Sequence, residues 1–256
     1  MARIGILVVA YNAEATLQTV LQRIPPEIMH KVAEIFVFDD ASQDRTVEVG
    51  HDYKQAIGDD KLSIFRNPVN LMYGGNQRRG YQYAIERGLD IVVLLHGDGQ
   101  YAPEVMQDLL TPLEQGTAEM VMGSRMLVPG AARRGNMPLY KFVGNRILTR
   151  IQNWLAGTHF SEFHSGYRAY SVHALRTIQL DRLTTNWHFD TQIILQFLKQ
   201  RYRVREVAIP TYYGDEICHV NGIPYALHCM REVWMYALRD RWRGRVALPA
   251  AQRPPE

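Results

Sequence analysis

The sequence predicts an α/β protein built on a doubly wound, mostly parallel sheet flanked by helices. Three observations predict it. Short apolar runs alternate with helical stripes through the first half of the chain, and short connections join them, which is the pattern of βαβ units. The runs at 4–10 and 91–95 are continuously apolar, as strands buried on both faces are. Each run also stops at polar residues or glycine, where sheets of this kind collect ligands beyond the carboxyl ends of their strands. With 256 residues, the chain is expected to form one domain over 1–243, with 1–125 as its first half and 126–243 as a second half ending in a helix.

Taken in order, Ile4–Ala10 is the first strand, ended by Tyr11-Asn12. Ala15, Leu17, Val20, Leu21 and Ile24 set a helical stripe over 13–24, which Pro25-Pro26 stops. Glu34–Phe38 is the second strand and runs into Asp39-Asp40-Ala41-Ser42-Gln43-Asp44-Arg45-Thr46. Ser42 or Asp44 can cap the helix that carries Val47, Val49 and Tyr53. Leu62–Phe65 is a third strand, and a helix over 76–86 follows the Gly74-Gly75 pair and closes at Gly88. Pro103 suits a first helical turn, with the helix reaching about Glu114. Glu119–Met122 is a fifth strand, leading to Gly123-Ser124-Arg125.

The second half is less regular. Residues 138–156 read as a long helix with Leu139, Val143, Ile147, Ile151, Trp154 and Leu155 on one side, flanked by Arg146 and Arg150. That pattern suits a helix lying on a membrane, although a core-packed helix is the commoner meaning of the spacing. Ser165–Tyr170 is a turn into a short strand, 188–200 a helix, 203–209 a strand closed by Pro210, and 224–242 a last amphipathic helix. The polar stretch 211–223 reads as a loop, and the tail 244–256 as disordered.

Composition narrows the classes. The net charge of +3 is too small to indicate nucleic acid by itself, yet it allows a local basic patch for phosphates or an anionic surface. No apolar run reaches the roughly 18–20 residues a membrane span needs, and the N-terminus leads straight into a strand with no signal-peptide pattern. Cys218 and Cys229 make no disulfide framework. A reducing cytoplasm is the simplest setting.

The chemistry-bearing residues gather at the expected strand ends. In Ile91-Val-Val-Leu-Leu-His96-Gly97-Asp98-Gly99-Gln100 an extended backbone would point His96, Asp98 and Gln100 the same way. Three such groups suggest a divalent ion beside a phosphorylated substrate; a turn satisfying its own amides is the other reading. Asp39 and Asp40 suit a ribose or base edge, or a helix cap. Gly74-Gly75 offers amides to a phosphate, or is a plain helix entry. Arg79, Arg125 and Arg168 are candidate phosphate partners, although a solvated surface is the commoner fate of any one arginine. Asp190, in Trp187-His188-Phe189-Asp190, is a candidate general base or an N-cap. His219 and His228 read as structural or surface histidines.

Taken together, Val8–Glu14, Phe38–Thr46, Asn70–Gly80, His96–Gln100, Gly123–Arg125 and Ser165–Arg168 form an ordered set that resembles the inverting family 2 glycosyltransferases of GT-A fold. The likeness is greatest to the polyprenyl-phosphate and dolichyl-phosphate sugar synthases and covers about residues 3–210. It implies that 1–125 binds a nucleotide-diphosphate sugar and that 126–243 faces the acceptor, a lipid phosphate or a glycan. It implies donor-binding roles for Ala10, Tyr11, Asn12, Asp39 or Asp40, Gly74, Arg79, Gly97, Asp98, Ser124 and Arg168. It implies Mn²⁺ or Mg²⁺ on Asp98 and Gln100 with His96, and catalytic roles for Asp98, Arg125 and Asp190. It also implies a mobile acceptor loop at 211–223 and leaves a peripheral position at the inner face of the membrane open.

One departure is visible. The family's metal motif usually begins with Asp where this chain has His96, which predicts Mn²⁺ preference or weak metal dependence. Two other functions are compatible with such a sheet. A sugar-nucleotide nucleotidyltransferase would need a Gly-rich, basic loop after the first strand, where Ala10-Tyr11-Asn12-Ala13 stands instead. A catalytically silent nucleotide-sugar-binding module is the third reading. The sugar, the base and the oligomeric state have no signature in the sequence.

Overall fold

The computed structural model describes residues 2–213 and 222–242. Most of the polar loop expected at 211–223, with Cys218 and His219, and the tail from 244 lie outside the described residues. Seven strands, β1 (Ile4–Ala10), β2 (Glu34–Asp39), β3 (Leu62–Arg66), β4 (Ile91–His96), β5 (Met120–Ser124), β6 (Arg168–Ser171) and β7 (Val204–Ala208), form one sheet in the order β3-β2-β1-β4-β6-β5-β7. Only β6 runs antiparallel to its neighbours. The others run one way.

Around the sheet lie α1 (Leu17–Gln22), α2 (Pro26–Lys31), α3 (Thr46–Ile57), α4 (Met72–Glu86), α5 (Met106–Glu114), α6 (Ala131–Arg134), α7 (Leu139–Ala156), α8 (Val172–Thr177), α9 (Phe189–Lys199) and α10 (Gly222–Tyr236), the last continued by a π-helical turn over Ala237–Arg241. Period-2 alternation sorts the strands between two cores. Leu7, Val92 and Leu94 pack on one face with α4 and α9 residues such as Tyr81 and Ile193. Ile6, Val8, Val93 and Leu95 pack on the other with Leu17, Val20 and Leu109. Continuous apolar runs are needed because both faces are dry.

Several boundaries differ from the sequence pattern for local reasons. Residues 14–16 form a turn, so α1 starts later than expected. Pro26 opens a new helix as its first residue, where its missing N–H costs nothing. The cap expected of Ser42 or Asp44 does not form, since Arg45 holds the N-cap position of α3; Asp44, one residue before it, accepts the Thr46 amide at 3.0 Å. The helix expected from Asn76 begins four residues earlier, at Met72.

That early start overturns the expectation for Gly74. Its amide donates to the Thr185 carbonyl at 2.7 Å and so is not free for a phosphate. A Cβ at this position would stand 2.6 Å from both the Thr184 carbonyl oxygen and Phe189 Cβ. The glycine is there so that α4 can close on the segment leading into α9.

Gly74→Ala weighs two effects against each other. Helix propensity favours Ala by about 1 kcal/mol, whereas overpacking against a carbonyl and a Cβ, neither of which can rotate away, costs about 1–3 kcal/mol. The expected result is a net loss, read as a lower urea midpoint; a midpoint at or above that of the parent would show that the 184–189 segment yields.

Candidate functional site

The parallel strands deliver their last residues to one edge. Ala10 pairs with Asp39 and Val9 with His96; Arg168 opens β6 at the same edge, opposite Leu94 and Met122. At the end of β1 Tyr11 and Asn12 are exposed, and Asn12 holds a φ of 50°. Loop bonds impose this conformation. The Asn12 amide donates to Ser42 Oγ at 2.8 Å, and Asn12 Oδ1 accepts the Gln43 amide at 2.9 Å.

Asp39 and Asp40 build this edge rather than line it. Asp39 is fully buried; one carboxylate oxygen accepts the Ser42 hydroxyl and the other the Ser42 amide at 3.0 Å. Asp40 accepts the Leu71 amide at 2.7 Å and Asn67 Nδ2 at 2.9 Å. Burial raises its carboxyl above the usual range although these donors pull it back. Neither residue is the N-cap of a helix: Asp39 closes the 39–42 turn, whose Ser42 holds Asn12, and Asp40 braces the segment that enters α4. Ala10 is buried, and a Cβ on Gly97 would stand 3.2 Å from Ala10 Cβ, so Ala10 and Gly97 provide close approach of two strand ends.

The alternation expected at 96–100 fails. β4 ends at His96, residues 97–99 turn, and Gly99 has a φ of 78°. Asp98 is exposed and accepts the Gln100 amide at 2.9 Å. His96 lies buried, edge-on to Tyr73 and Tyr101. Its Nε2 has no hydrogen-bond partner and sits where a side chain on Gly166 would reach within 2.8 Å. Burial lowers the His96 pKa, against the pull of Asp98 and Asp190. The ring is thus an element of the floor, and the turn at 97–99 breaks the extended alternation expected to align His96, Asp98 and Gln100. No group of three or more His, Cys, Asp or Glu suited to a metal occurs among the described residues. The exposed Asp98 carboxylate fits a divalent ion that takes further ligands from phosphates and water, the mode Mg²⁺-like ions use beside nucleotides.

Behind this floor stands a buried charge pair. Asp190, in the first turn of α9, accepts the Tyr73 hydroxyl at 2.7 Å and lies 3.5 Å from Arg168 Nη1. Arg168 is fully buried, and its guanidinium donates to the carbonyls of Ser165, Asp190 and Phe163 at 2.8, 2.9 and 3.0 Å. It is therefore a strut and not a phosphate partner. Asp190 is buried as well; one carboxylate oxygen accepts the Tyr73 phenol, while the other, Oδ1, has no hydrogen-bond partner and faces Arg168 Nη1 at 3.5 Å.

Arg125 is likewise committed. It forks onto Glu162 and donates to Tyr213 Oη at 3.0 Å and the His164 carbonyl at 3.2 Å. Burial alone would push Glu162 up, but Arg125 more than offsets it and holds the carboxyl below the usual range. Asn145 Nδ2 reaches the same carboxylate at 2.8 Å. Ser124 is buried with its hydroxyl 2.6 Å from that of Ser161, so it too supports the loop. Arg79 is exposed on α4 and lines a separate cavity of about 190 Å³ with Phe65, Arg66 and Tyr83. Another cavity, about 650 Å³, opens at the amino end of β4 beside Asp90 and Glu119, a strand's length from Asp98.

Sequence reasoning missed Glu162, Tyr73 and Tyr101. Glu162 had a signal: it is the only carboxylate between residues 126 and 180. Tyr73 and Tyr101 had none, because their partners Asp190 and Gly166 are distant in sequence.

Comparisons agree with this architecture. The sequence model of glycosyl transferase family 2 matches residues 5–178. The chain is 28% identical over 222 residues to a UDP-N-acetylglucosamine–dolichyl-phosphate N-acetylglucosaminyltransferase of Methanococcus voltae, covering 83% of this chain and 86% of the relative. It is 27% identical over 244 residues to an undecaprenyl-phosphate mannosyltransferase of Micrococcus luteus, covering 94% and 97%. Among solved structures, glucosyl-3-phosphoglycerate synthase from Mycobacterium tuberculosis, crystallised with Mn²⁺, UDP-glucose and phosphoglyceric acid, superposes with a TM-score of 0.65 at 16% identity over 92% of this chain and 80% of that one. At that identity the likeness concerns the fold.

The site carries a pH signature. Burial lowers His164 to about 4, against the pull of Glu162, while an unfolded histidine titrates near 6.5. Above about 6.5 both states are neutral and the group is silent; below it the unfolded chain takes up the proton first, so stability falls progressively from pH ~6.5 to ~4. Urea midpoints of the parent and of His164→Gln at pH 7.5, 6 and 4.5 check this: the variant should lose less stability across that window, and parallel curves would refute it.

Proposed function

The chain belongs to glycosyl transferase family 2 and has the GT-A fold, and from that premise we propose that it transfers a sugar, with inversion, from a nucleotide-diphosphate donor to a polyprenyl phosphate. The observation carrying the acceptor is that relatives named for dolichyl and undecaprenyl phosphate match over 86% and 97% of their own lengths. A Gly-rich basic loop after β1, as a nucleotidyltransferase would use, is absent from Ala10-Tyr11-Asn12-Ala13.

In this reading the exposed Tyr11 and Asn12 receive the nucleoside, and the Asp39–Ser42 bonds hold them in place. Asp98, outermost at the end of β4, is the protein's ligand for Mn²⁺ or Mg²⁺ on the donor diphosphate. Such an ion, when bound, neutralises charge developing on the leaving phosphates. Gly97 keeps a side chain from intruding between the ends of β1 and β4. Arg125, locked to Glu162 in a buried neutral pair, fixes the loop that follows β5. A polyprenyl phosphate is already ionised at neutral pH, so no base is required. Asp190, held by Tyr73 and Arg168, is then a positioning residue that fixes the start of α9 and the floor around His96. Such an acceptor sits in a bilayer, although no described helix is long and apolar enough to cross one.

Two measurements test the proposal. With a nucleotide-sugar donor and polyprenyl phosphate, Asp98→Asn should lower kcat at least 10²-fold and chelation should abolish turnover, losses on the scale of one removed electrostatic element; unaltered turnover in either case removes the metal role, and no turnover by the parent with any donor supports the silent module. Asp190→Asn should keep kcat within about tenfold. A loss of about 10²–10⁴, the scale of a missing general base, with donor affinity intact would instead indicate a hydroxyl acceptor.

A further inference from the structure

Helix α7 is built inside out. At 100° per residue, Leu139, Val143, Ile147, Ile151 and Trp154 share one face, and they are exposed, Leu139 by 62%, Ile147 by 56% and Trp154 by 66%. The opposite face, turned to the protein, carries Asn145, Thr149 and Gln152, with neither amide atom of the buried Gln152 hydrogen-bonded. The core-packed reading holds for Leu155, the last residue of the stripe, which is buried in the core; the other five face out. The face continues beyond α7, where exposed Trp154 meets exposed Trp242, and Trp242 meets Trp234. Arg241 clamps the two segments by donating to the Trp154 and Leu155 carbonyls.

Charge says what covers it. Between residues 126 and 161 the chain holds Arg133, Arg134, Lys141, Arg146 and Arg150 and no Asp or Glu. Arg146 and Arg150 are exposed at the border of the apolar stripe. An apolar, Trp-ended face whose α7 border carries Arg146 and Arg150, and whose neighbouring carboxylates Glu232 and Asp240 are paired with Arg231 and Lys199, is complementary to an anionic lipid surface, with the aromatic groups at headgroup depth and the basic groups on phosphates. A second copy of the same face would set these cations against each other.

We propose that the α7 face, extended by Trp234 and Trp242, is a docking surface for an anionic phospholipid bilayer. It deepens the acceptor reading without depending on it. The inner side of α7 carries Asn145, which bonds Glu162, and Lys141, whose Nζ lies 5.0 Å from the Tyr213 ring centroid. Docking would thus hold the Arg125–Glu162 cluster about one helix diameter, roughly 10 Å, from the lipid headgroups.

The test is flotation of the full chain with phosphatidylcholine vesicles, with and without phosphatidylglycerol and without polyprenyl phosphate. The parent should float with anionic vesicles, less so at high salt. Ile147→Glu combined with Ile151→Glu should cut the bound fraction at least tenfold, and Arg146→Gln combined with Arg150→Gln should erase the preference for phosphatidylglycerol. Near-UV circular dichroism and transfer to a short, water-soluble prenyl phosphate should stay at parental levels in both. A parent that never floats, or an Ile147/Ile151 variant that floats equally, overturns the proposal; so does a concentration-dependent dimer that the same variant dissolves without any vesicle binding. Flotation without transfer to any prenyl phosphate would sink the acceptor reading alone.

Discussion

A fully buried guanidinium with nowhere to go but its own neighbours constrains the polar end of this molecule. Arg168 begins the one antiparallel strand, between β4 and β5. A charge this deep must be paired and hydrogen-bonded, and removing one partner of such a pair typically costs about 3–5 kcal/mol. Its three carbonyl acceptors and the Asp190 carboxylate tie the 163–166 loop to the start of α9. Asp190 in turn holds Tyr73, which holds α4 over His96. The positions of α4, α9 and the end of β4 therefore depend on one satisfied charge.

The same logic runs through the other carboxylates. Asp39, Asp40, Glu162 and Glu206 are all buried or nearly so, and each is spent on loop amides, hydroxyls or Arg125. Burial still lifts Glu206 above the usual carboxylate range despite its donors at Ser161 and Glu162. Asp98 is exposed, with only a local amide on it. Among the described residues that end β2 and β4, Asp98 is the carboxylate turned to solvent, and this contrast with Asp39 and Asp40, more than the number of polar residues, marks where a cation and its phosphates would be held.

Helix α7 joins that edge to the outside. Asn145 contributes to the Glu162 cluster while Ile147, two residues on, is turned to solvent. Up to its last turn, where Leu155 and Ala156 enter the core, the helix places polar groups inward and apolar groups outward, which inverts the usual arrangement, and the hydrophobic effect disfavours that outer face in water alone.

The strands and most helices could be read directly from the chain. Ile4–Ala10, Ile91–His96 and the 18 residues of α7 have periods and breakers that act over a few residues, and such local sterics and patterning are written in sequence order. The polar residues of the site were legible as a set for the same reason: they follow apolar runs. Their roles were not. Whether Asp39 faces a ligand or Ser42, whether Arg168 meets a phosphate or three carbonyls, and which face of α7 looks outward depend on groups distant in the chain, on burial and on which donors arrive first. Sequence by itself determined the layers and the edge at which chemistry collects. Tertiary packing decided which charges are consumed in holding that edge and which stay exposed, because a side chain's partners are fixed by where the fold brings other atoms and not by its neighbours along the backbone.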